Sequence, residues 1–394
     1  MEEGLTMNES EKEQDLLKIR NEIDTIDGEL VKLFVQRMKA SEKVAAAKKT
    51  SHAPVCDPVR EREILAKVAK AVGPDFENEA RLLFTTLMSM SRGRQRAELA
   101  GGDAFAKSVG EAIASTPERF PSSATVACSG VEGSYSQQAV CRLVQFPTIF
   151  YFKGFDDVFS AVEKGMCDYG VLPIENSAVG SVTAVYDLMA KHNFKIVRAM
   201  KLRIRHVLLA PHGVKFEDVR EVSSHPHAIA QCSEFLRKHP SIRAIPAANT
   251  AAAAAELAKS GRKDVAVIAS RECAELYGLD VLREDISNTA SNYTRFICIS
   301  KRAEIYPDAD KFSVMMSLNH RPGALTDVLV KFAAAGVNLT KLESRPVPGS
   351  DFEFRFIFDF EASPRDPRVL KMLSGFSIDP EIEHFTFLGS YAER

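Results

Sequence analysis

Three basic residues lie on an otherwise apolar helical face near the start of the chain. Apolar residues recur at alternating spacings of three and four from Leu16 to Leu33, which predicts one buried face of a long helix. Arg37 and Lys48 continue that face, and Arg20 lies on the same side. A cation on a buried face is unfavourable without an anionic partner. These residues therefore predict a pocket that binds a small anion.

Two further predicted helices add polar groups to this pocket. Asp57 is a favourable N-cap for the second helix, whose apolar face follows Arg60 and Glu61 by one turn. The apolar face of the third helix continues as Ser91 and Gln95. Such a set of cations, one carboxylate and neutral groups suits a small dianion that also has neutral oxygens. The alternative is that these residues are solvated or form ion pairs between helices.

The helical segment resembles the helical chorismate mutase family over residues 14–97, through LLKIRNEID, QRM, AAAKK, DPVRERE and the two polar residues of the third helix. The resemblance implies an isomerase that converts chorismate to prephenate without a nucleophile or a proton transfer. Such a site holds the reactive conformer and stabilises the charge that develops on the ether oxygen.

The same resemblance assigns a role to each polar residue of the pocket. Lys48 and Gln95 would be the catalytic donors to the ether oxygen. The other polar residues would bind substrate: Arg20, Arg37, Asp57, Arg60, Glu61 and Ser91. In that set the arginines would bind the two carboxylates, with Arg20 donated by a second subunit. A helix of about 35 residues has no long partner within the chain, so we expect a homodimer or a homotetramer.

Residues 124–301 alternate short β-rich runs with helical stretches, which predicts an α/β fold. Several of the predicted strands end in Ser, Thr, Asn or Gly just before a helix, as at Asn176 and Ser224. Helix N-termini at the carboxyl ends of strands bind anions readily. Plain helix capping is the alternative for each of these residues.

This segment resembles the prephenate dehydratases through GVEGSYSQQA, VLPIENSAVGSV, SSHPHAIAQC and SNYTRF. The resemblance implies two α/β subdomains that flank a cleft, as in a periplasmic binding protein. The implied reaction removes carbon dioxide and hydroxide from prephenate to give phenylpyruvate. Thr294 is the implied catalytic residue, which would protonate the leaving hydroxyl within an ordered network. The implied substrate-binding residues are Glu175, Asn176, Ser224, Gln231 and Arg295.

Two features of this segment leave alternatives open. Arg295 is a candidate carboxylate anchor, and the alternative is a salt bridge that stiffens the last strand. His225 and His227 resemble a metal-binding pair, but no third ligand lies at a suitable spacing, so we expect neither a metal nor a cofactor. His227 also stands where many relatives have Gln.

Residues 311–391 alternate as strand, helix, strand, strand, helix and strand, which predicts a βαββαβ module of ferredoxin-like arrangement. The module resembles ACT domains through RPGALTDVL and NLTKLESRP, which implies phenylalanine as an effector. The effector would bind near a glycine before the first helix and near a turn after Leu342. The implied effector-binding residues are Gly323, Ala324, Leu325, Asn338, Leu339, Glu343 and Ser344. Phe352 and Phe354 stand where many relatives have Trp and Tyr, and a module for dimerisation only is the alternative.

The composition excludes several classes of protein. The chain has 394 residues, and Lys+Arg 51 against Asp+Glu 53 gives a net charge of −2, so no global basic field binds nucleic acid. We find no run of 18 apolar residues, and the acidic, polar opening is unlike a signal peptide. The seven cysteines form no C-x-x-C pair, so we expect reduced thiols and a cytoplasmic protein.

These observations predict an all-α domain over 14–100, a linker over 101–123, an α/β dehydratase domain over 124–301 and a regulatory module over 309–394. The expected small-molecule partners are chorismate, prephenate and phenylalanine, with no nucleic acid and no membrane. The product of the first implied reaction is the substrate of the second, which favours a phenylalanine-forming enzyme under feedback inhibition by phenylalanine. An arogenate-preferring dehydratase and a non-catalytic amino-acid sensor are the open alternatives.

Overall fold

The computed structural model describes residues 9–51, 53–100, 102–347 and 353–394, so Phe352 lies outside the described residues. The predicted N-terminal helices are confirmed, and they are α1 (Glu9–Ser51), α2 (Pro58–Val72) and α3 (Glu77–Ala100). Asp57 caps α2, because its carboxylate accepts a hydrogen bond from the backbone N–H of Arg60 at 3.0 Å. Among the described helices, none is long and apolar enough to cross a membrane.

The apolar stripe of α1 is open in the single chain. Helices α1 and α2 both pack against α3, but the stripe side chains remain between 47% and 60% exposed. They are Leu16, Ile19, Ile23, Ile26, Leu30 and Leu33. A contiguous apolar surface of this kind is typical of an interface with another protein chain.

The segment predicted as a linker contains a helix, α4 (Ala104–Ser115). Its Val109 and Ala112 are buried, and the backbone N–H of Ile305 donates to the hydroxyl of Thr116 just beyond it at 2.9 Å. The linker prediction was based on the glycine and serine residues of 101–123, which are typical of a loose connector. However, the apolar residues among them recur at helical spacing, so the segment forms one buried face.

The α/β region comprises two subdomains. The elements of the first are β1 (Ser123–Ser129), α5 (Tyr135–Leu143), β2 (Phe146–Phe152), α6 (Phe155–Glu163), β3 (Tyr169–Asn176), β4 (Gly180–Ser181), α7 (Thr183–Lys191) and β5 (Lys195–Arg203). Those of the second are β6 (Val207–Pro211), β7 (Glu221–Ser224), α8 (Pro226–Gln231), α9 (Ser233–Lys238), β8 (Arg243–Pro246), α10 (Thr250–Ser260), β9 (Val265–Ala269), α11 (Glu272–Tyr277) and β10 (Leu279–Arg283). The chain then returns to the first subdomain as β11 (Tyr293–Ser300).

The sheet topology positions the catalytic candidates. The first sheet has the order β2-β1-β3-β11-β5, with β4 paired to β3, and the second has the order β10-β6-β9-β7-β8. Strand β11 is antiparallel to both of its neighbours. Its register places Thr294 opposite Asn176 and Arg295 opposite Glu175. Residues 204–206 and 284–292 connect the two subdomains, as expected for a fold of the periplasmic-binding-protein type.

The C-terminal module confirms the predicted order of elements: β12 (Lys311–Leu318), α12 (Ala324–Ala335), β13 (Asn338–Pro346), β14 (Phe354–Glu361), α13 (Pro367–Ser377) and β15 (Ile382–Tyr391). Its sheet has the order β13-β14-β12-β15 and is antiparallel throughout, which is the ferredoxin-like arrangement. Beyond β15 the chain continues beside β5, where the backbone N–H groups of Ala199 and Arg394 donate to Ala392 and Ala199 at 3.0 Å. The module is therefore joined to the first dehydratase sheet by backbone hydrogen bonds.

Gly389 is required where β15 passes β5. A Cβ atom at this position would lie 2.2 Å from the backbone oxygen of Ile196. We expect Gly389→Ala to lower the free energy of unfolding by about 2 kcal/mol or more, because the backbone must shift to relieve the contact. Urea unfolding would measure the loss. Gly110→Ala is the control, since a Cβ atom added to Gly110 of α4 would meet no atom within 4 Å, and an equal loss in both variants would contradict the prediction.

Candidate active sites

Two of the predicted pocket residues, Arg37 and Ser91, contact each other where α1 packs against α3. Arg37 donates from Nη1 to the Ser91 hydroxyl at 2.6 Å and to the backbone oxygen of Leu87 at 2.9 Å. Ser91 is buried and donates in turn to Leu87 at 2.8 Å. Burial lowers the pKa of the Arg37 guanidinium from its ordinary value. A guanidinium has five N–H donors, so this arrangement holds a cation in place with donors left for a ligand.

Gln95 and Lys48 are the other predicted donors of the pocket. Gln95 is buried, and its Oε1 has no hydrogen-bond partner among the described residues. Buried polar atoms are normally paired, so an unpaired amide is typical of a position that binds a ligand. Lys48 lies near the end of α1 and donates to the backbone oxygen of Val55 at 2.7 Å.

The remaining polar residues of the helices make other contacts. Glu61 forms an ion pair with the buried Arg92 at 2.5 Å. Arg60 is exposed and pairs with Glu63 of its own helix at 3.0 Å, and Arg20 is exposed on α1. Sequence reasoning missed Arg92. The sequence does indicate Arg92, because it follows the apolar Met88 of α3 by one helical turn and so lies on the same, buried face.

Thr294 is held in a defined orientation in the α/β region. It is 8% exposed, and Nδ2 of Asn176 donates to its Oγ1 at 2.8 Å. The orientation of that amide is fixed, because Asn176 Oδ1 accepts from the backbone N–H groups of Ala178 and Val179 at 2.9 and 3.1 Å. Since the Thr294 oxygen already accepts a hydrogen bond, its own hydrogen is directed elsewhere. The hydroxyl is therefore available as a donor.

Three further side chains extend this contact into a network. Asn176 Nδ2 also donates to Asn292 Oδ1 at 2.9 Å, and Asn292 Nδ2 donates to Gln231 Oε1 at 3.1 Å. The same Gln231 oxygen lies 2.9 Å from Nε2 of His206. Asn292 was missed although it lies in the SNYTRF motif. His206 was missed because it belongs to no motif and its partners are distant in sequence.

Two predicted substrate-binding residues make structural contacts instead. Ser224 is fully buried, and its hydroxyl donates to the backbone oxygen of Ile268 at 2.6 Å. Arg295 is 7% exposed and forms ion pairs of 2.5 Å with both Asp359 and Glu393. These ion pairs are those expected from the salt-bridge alternative, and the role of Arg295 as a carboxylate anchor stays a prediction.

Comparison with known proteins matches both regions of the chain to enzyme families. The chorismate mutase type II family matches residues 19–96, and the prephenate dehydratase family matches residues 126–304. The bifunctional chorismate mutase/prephenate dehydratase of Escherichia coli is 32% identical over 371 residues, which are 92% of this chain and 92% of that protein. The chain belongs to this bifunctional family. It therefore joins a chorismate mutase region to a prephenate dehydratase region in one chain.

Two more relatives each match roughly two thirds of this bifunctional enzyme. Arogenate dehydratase/prephenate dehydratase 2 of Arabidopsis thaliana is 41% identical over 253 residues, which are 61% of this chain and 66% of the plant protein. The chain thus spans just under two thirds of that relative. A solved structure of prephenate dehydratase from Arthrobacter aurescens in complex with L-Phe has a TM-score of 0.62 and 34% identity, and covers 68% of this chain and 89% of that one.

A lysine of the C-terminal module contacts a predicted substrate-binding residue of the dehydratase. Glu175 and Lys341 form an ion pair at 3.1 Å, and Lys341 also pairs with Glu343 at 3.1 Å. The Lys341 ammonium donates to the Ser181 hydroxyl at 2.9 Å, and that hydroxyl donates to Glu343. One lysine therefore joins a predicted substrate residue to a predicted effector residue.

The predicted effector residues lie in two places. Gly323 has φ +81° immediately before α12, a conformation that favours glycine, and Ala324 and Leu325 are the first residues of that helix. Asn338 and Leu339 are the first residues of β13.

The expected turn after Leu342 is absent. Strand β13 continues through Glu343 and Ser344 to Pro346, and it pairs with β14 along this length. The backbone groups at these positions are therefore used by the sheet. The prediction of a turn was wrong because the residues after Leu342 alternate between exposed and half-buried positions, as in a half-buried strand.

The two neighbouring histidines contact each other at the start of α8. The backbone N–H of His227 donates to Nδ1 of His225 at 3.2 Å, which makes His225 the N-cap of that helix. Burial and the neighbouring His227 lower the pKa of His225. Within the described ranges, no group of three His, Cys, Asp or Glu side chains is arranged to bind a metal ion.

Glu393 gives the enzyme a measurable response to acid. Its carboxylate contacts Arg295, Lys311 and Lys201 at 2.5, 2.7 and 2.9 Å. Burial alone would raise its pKa, but the three cations outweigh burial and lower the pKa to about 2. A carboxyl whose pKa is depressed on folding stabilises the protein above its unfolded pKa, and this contribution is lost as the pH falls towards the folded value.

We therefore expect Glu393→Gln to lower the free energy of unfolding at pH 7 by about 1–3 kcal/mol, since a buried cation loses its partner. The variant should also lose less stability than the parent between pH 5 and pH 2. Over this range the parent loses the contribution of Glu393, whose pKa is 4.5 ordinarily and about 2 in the folded protein. Urea unfolding at several pH values would measure both effects. Glu383→Gln on the exposed side of β15 is the control, and parallel pH profiles of parent and Glu393→Gln would contradict the prediction.

Proposed function

We propose that Arg37 and Ser91 bind chorismate in the mutase site and that Lys48 and Gln95 donate hydrogen bonds to its ether oxygen. The proposal is supported by the buried Gln95 amide, whose oxygen is unpaired. Rotation of an amide by half a turn exchanges its oxygen for its NH2 group, so the same position can present a donor. Donors fixed at the oxygen where charge develops lower the barrier of the rearrangement.

A second copy of the chain completes this site in our proposal. The half-exposed stripe of α1 supports pairing with an identical stripe, and Arg20 lies among those stripe residues, where it would reach the partner's pocket. Arg60 would bind a substrate carboxylate, and Glu61 would accept a hydrogen bond from the ring hydroxyl while Arg92 holds it in place. Asp57 orders the start of α2.

The dehydratase proposal depends on one observation, the direction of the Asn176–Thr294 hydrogen bond. Because the Asn176 amide donates to Thr294, the Thr294 hydrogen is free to bind the leaving hydroxyl of prephenate. As the C–O bond breaks, Thr294 Oγ1 gives its proton to that hydroxyl, which leaves as water, and Oγ1 regains a proton from bulk water, which becomes hydroxide. The ring carboxylate leaves as carbon dioxide. The electron pair of the broken C–C bond completes the aromatic ring. Gln231 and Glu175 would contact the substrate beside Thr294.

Phenylalanine is the effector in this proposal, bound by the C-terminal module as an ACT domain. The Arthrobacter aurescens dehydratase, which was solved in complex with L-Phe, supports this choice. The effector-binding residues would be Gly323, Ala324, Leu325, Asn338, Leu339, Glu343 and Ser344. The ion pairs of Lys341 with Glu175 and Glu343 would carry the effect of binding to the dehydratase.

Prephenate is the proposed substrate of the dehydratase, because the mutase of the same chain makes it. Arogenate is the second candidate, since the Arabidopsis thaliana relative is an arogenate dehydratase/prephenate dehydratase. Competition between equal concentrations of prephenate and arogenate, with phenylpyruvate and phenylalanine both quantified, distinguishes the two substrates. If phenylalanine forms faster than phenylpyruvate, arogenate is the preferred substrate and the choice of prephenate is contradicted.

The complete proposal is tested by supplying the enzyme with chorismate and following prephenate and phenylpyruvate over time, with and without phenylalanine. We expect phenylpyruvate to form and phenylalanine to suppress it. The same concentration of L-alanine is the control for a non-specific amino-acid effect. Phenylpyruvate formation that phenylalanine leaves unchanged would contradict the role of the C-terminal module.

A further inference from the structure

His206 is a buried histidine that contacts the dehydratase network from outside every motif. It is 2% exposed and lies in the first connection between the two subdomains, just before β6. Its Nε2 is 2.9 Å from Gln231 Oε1. Its ring packs edge-on against Tyr135, with the ring centroids 5.9 Å apart. Burial lowers its pKa, and the hydrogen bond to Gln231 opposes this only in part.

The direction of the His206 hydrogen bond follows from the rest of the network. Backbone N–H groups fix the amide of Asn176, so its Nδ2 donates to Asn292 Oδ1. The other end of the Asn292 amide is then Nδ2, which donates to Gln231 Oε1. The atom of Gln231 that faces His206 is therefore an acceptor, and His206 must donate from Nε2. The imidazole thus carries a hydrogen on Nε2.

The network crosses both connections between the subdomains. His206 lies in the first connection and Asn292 in the second, and the backbone N–H of Ile204 donates to the backbone oxygen of Asn292 at 2.8 Å. Gln231 belongs to the second subdomain, and its backbone oxygen accepts from Asn288 at 2.7 Å. The side chain of Gln231 therefore depends on His206 and Asn292 for its position over the catalytic strand.

We propose that His206 is a positioning residue of the dehydratase, whose Nε2–H fixes the Gln231 amide and, through Asn292, helps to hold Asn176 in place against the Thr294 hydroxyl. This inference rests on the proposed role of Thr294. Tyr135 confines the ring by edge-on packing, and its hydroxyl donates to the backbone oxygen of Arg205 at 2.6 Å. His206 itself does not touch the reacting atoms.

Two substitutions of His206, by Gln and by Asn, test the proposal because their side-chain amides lie at different distances from the backbone. Gln places an N–H donor near the position of Nε2, whereas Asn is too short to reach Gln231. We expect His206→Asn to lower the kcat of phenylpyruvate formation about tenfold or more with KM changed less than about threefold, because misplacement of a catalytic group slows the reaction without loss of binding. His206→Gln should retain kcat within about threefold of the parent. Equal kcat values for the Asn and Gln variants would overturn the proposal.

A second experiment separates positioning from a purely structural role. In the Thr294→Val background we expect His206→Asn to have no further effect on the residual kcat, because residues that act through one group are not additive. An equal fold-loss in both backgrounds would overturn the proposal. His212→Asn is the matched control, since the side chain of His212 is 89% exposed. A Thr294→Val variant with the kcat of the parent would contradict the proposed function of Thr294. A His206→Asn variant with the kcat of the parent, beside an inactive Thr294→Val variant, would contradict only the proposal for His206.

Discussion

Thr294→Val should reduce the kcat of phenylpyruvate formation by about 10²–10³-fold, the usual cost of removing one fixed donor from a transition state. Valine has nearly the shape of threonine, so packing in the buried strand β11 is preserved. The variant loses the donor and leaves the Nδ2 group of Asn176 without its Thr294 acceptor. Steady-state kinetics with supplied prephenate would measure the loss, while chorismate mutase activity should remain unchanged.

Thr294→Ser is the matched variant for this experiment. It keeps the hydroxyl that accepts from Asn176, so we expect its kcat to stay within about tenfold of the parent, which is far above the valine variant. Two results would contradict the prediction. One is a valine variant with the kcat of the parent, and the other is a comparable loss of mutase activity, which would indicate a folding defect.

Lys48→Ala should reduce chorismate mutase activity by about 10²–10³-fold and leave the dehydratase unchanged on supplied prephenate. The ammonium is one of the proposed donors to the ether oxygen, where negative charge develops, and alanine removes it. Prephenate formation from chorismate would measure the loss. Lys49→Ala is the control, because Lys49 is the adjacent lysine of α1 and is exposed. Equal losses in the two lysine variants would contradict the prediction.

The same variant tests the proposal that Arg20 contributes to the mutase site of a second copy of the chain. Arg20→Ala and Lys48→Ala should each be nearly inactive alone. If a site combines Lys48 from one chain with Arg20 from the other, each mixed dimer contains one intact site. Mixing equal amounts after reversible dissociation should then recover about a quarter of the parent mutase activity, since about half of the dimers are mixed. No recovery, with mixed dimers verified by mass spectrometry, would place both residues in the same chain's site.

Much of the fold follows from local patterns in the sequence. Asp57, the stripe from Leu16 to Leu33 and the alternating C-terminal module all predict elements that the structure contains. Strand β5 was missed because basic residues interrupt its apolar run. One of them, Arg198, is buried through an ion pair with Asp308 at 2.6 Å, a partner 110 residues away that no local pattern reveals.

The dehydratase site was predictable only where its residues lie in motifs. Asn176, Gln231 and Thr294 each lie in a quoted segment, and the structure brings them into one network. Arg295 also lies in a motif, but its ion pairs come from the C-terminal module, so its contacts depend on tertiary structure. No local sequence pattern indicates His206. Its proposed role depends on one hydrogen bond to Gln231, which lies 25 residues further along the chain.

The position of β11 in the first sheet has a consequence for protein synthesis. The strands of the second sheet all lie between β5 and β11 in the chain. A ribosome therefore completes the second subdomain while the first still lacks the strand between β3 and β5. Thr294 reaches Asn176 only after 118 further residues have been added, and contacts so distant in sequence form late. A nascent chain that stops before Thr294 has a complete second subdomain but no dehydratase site.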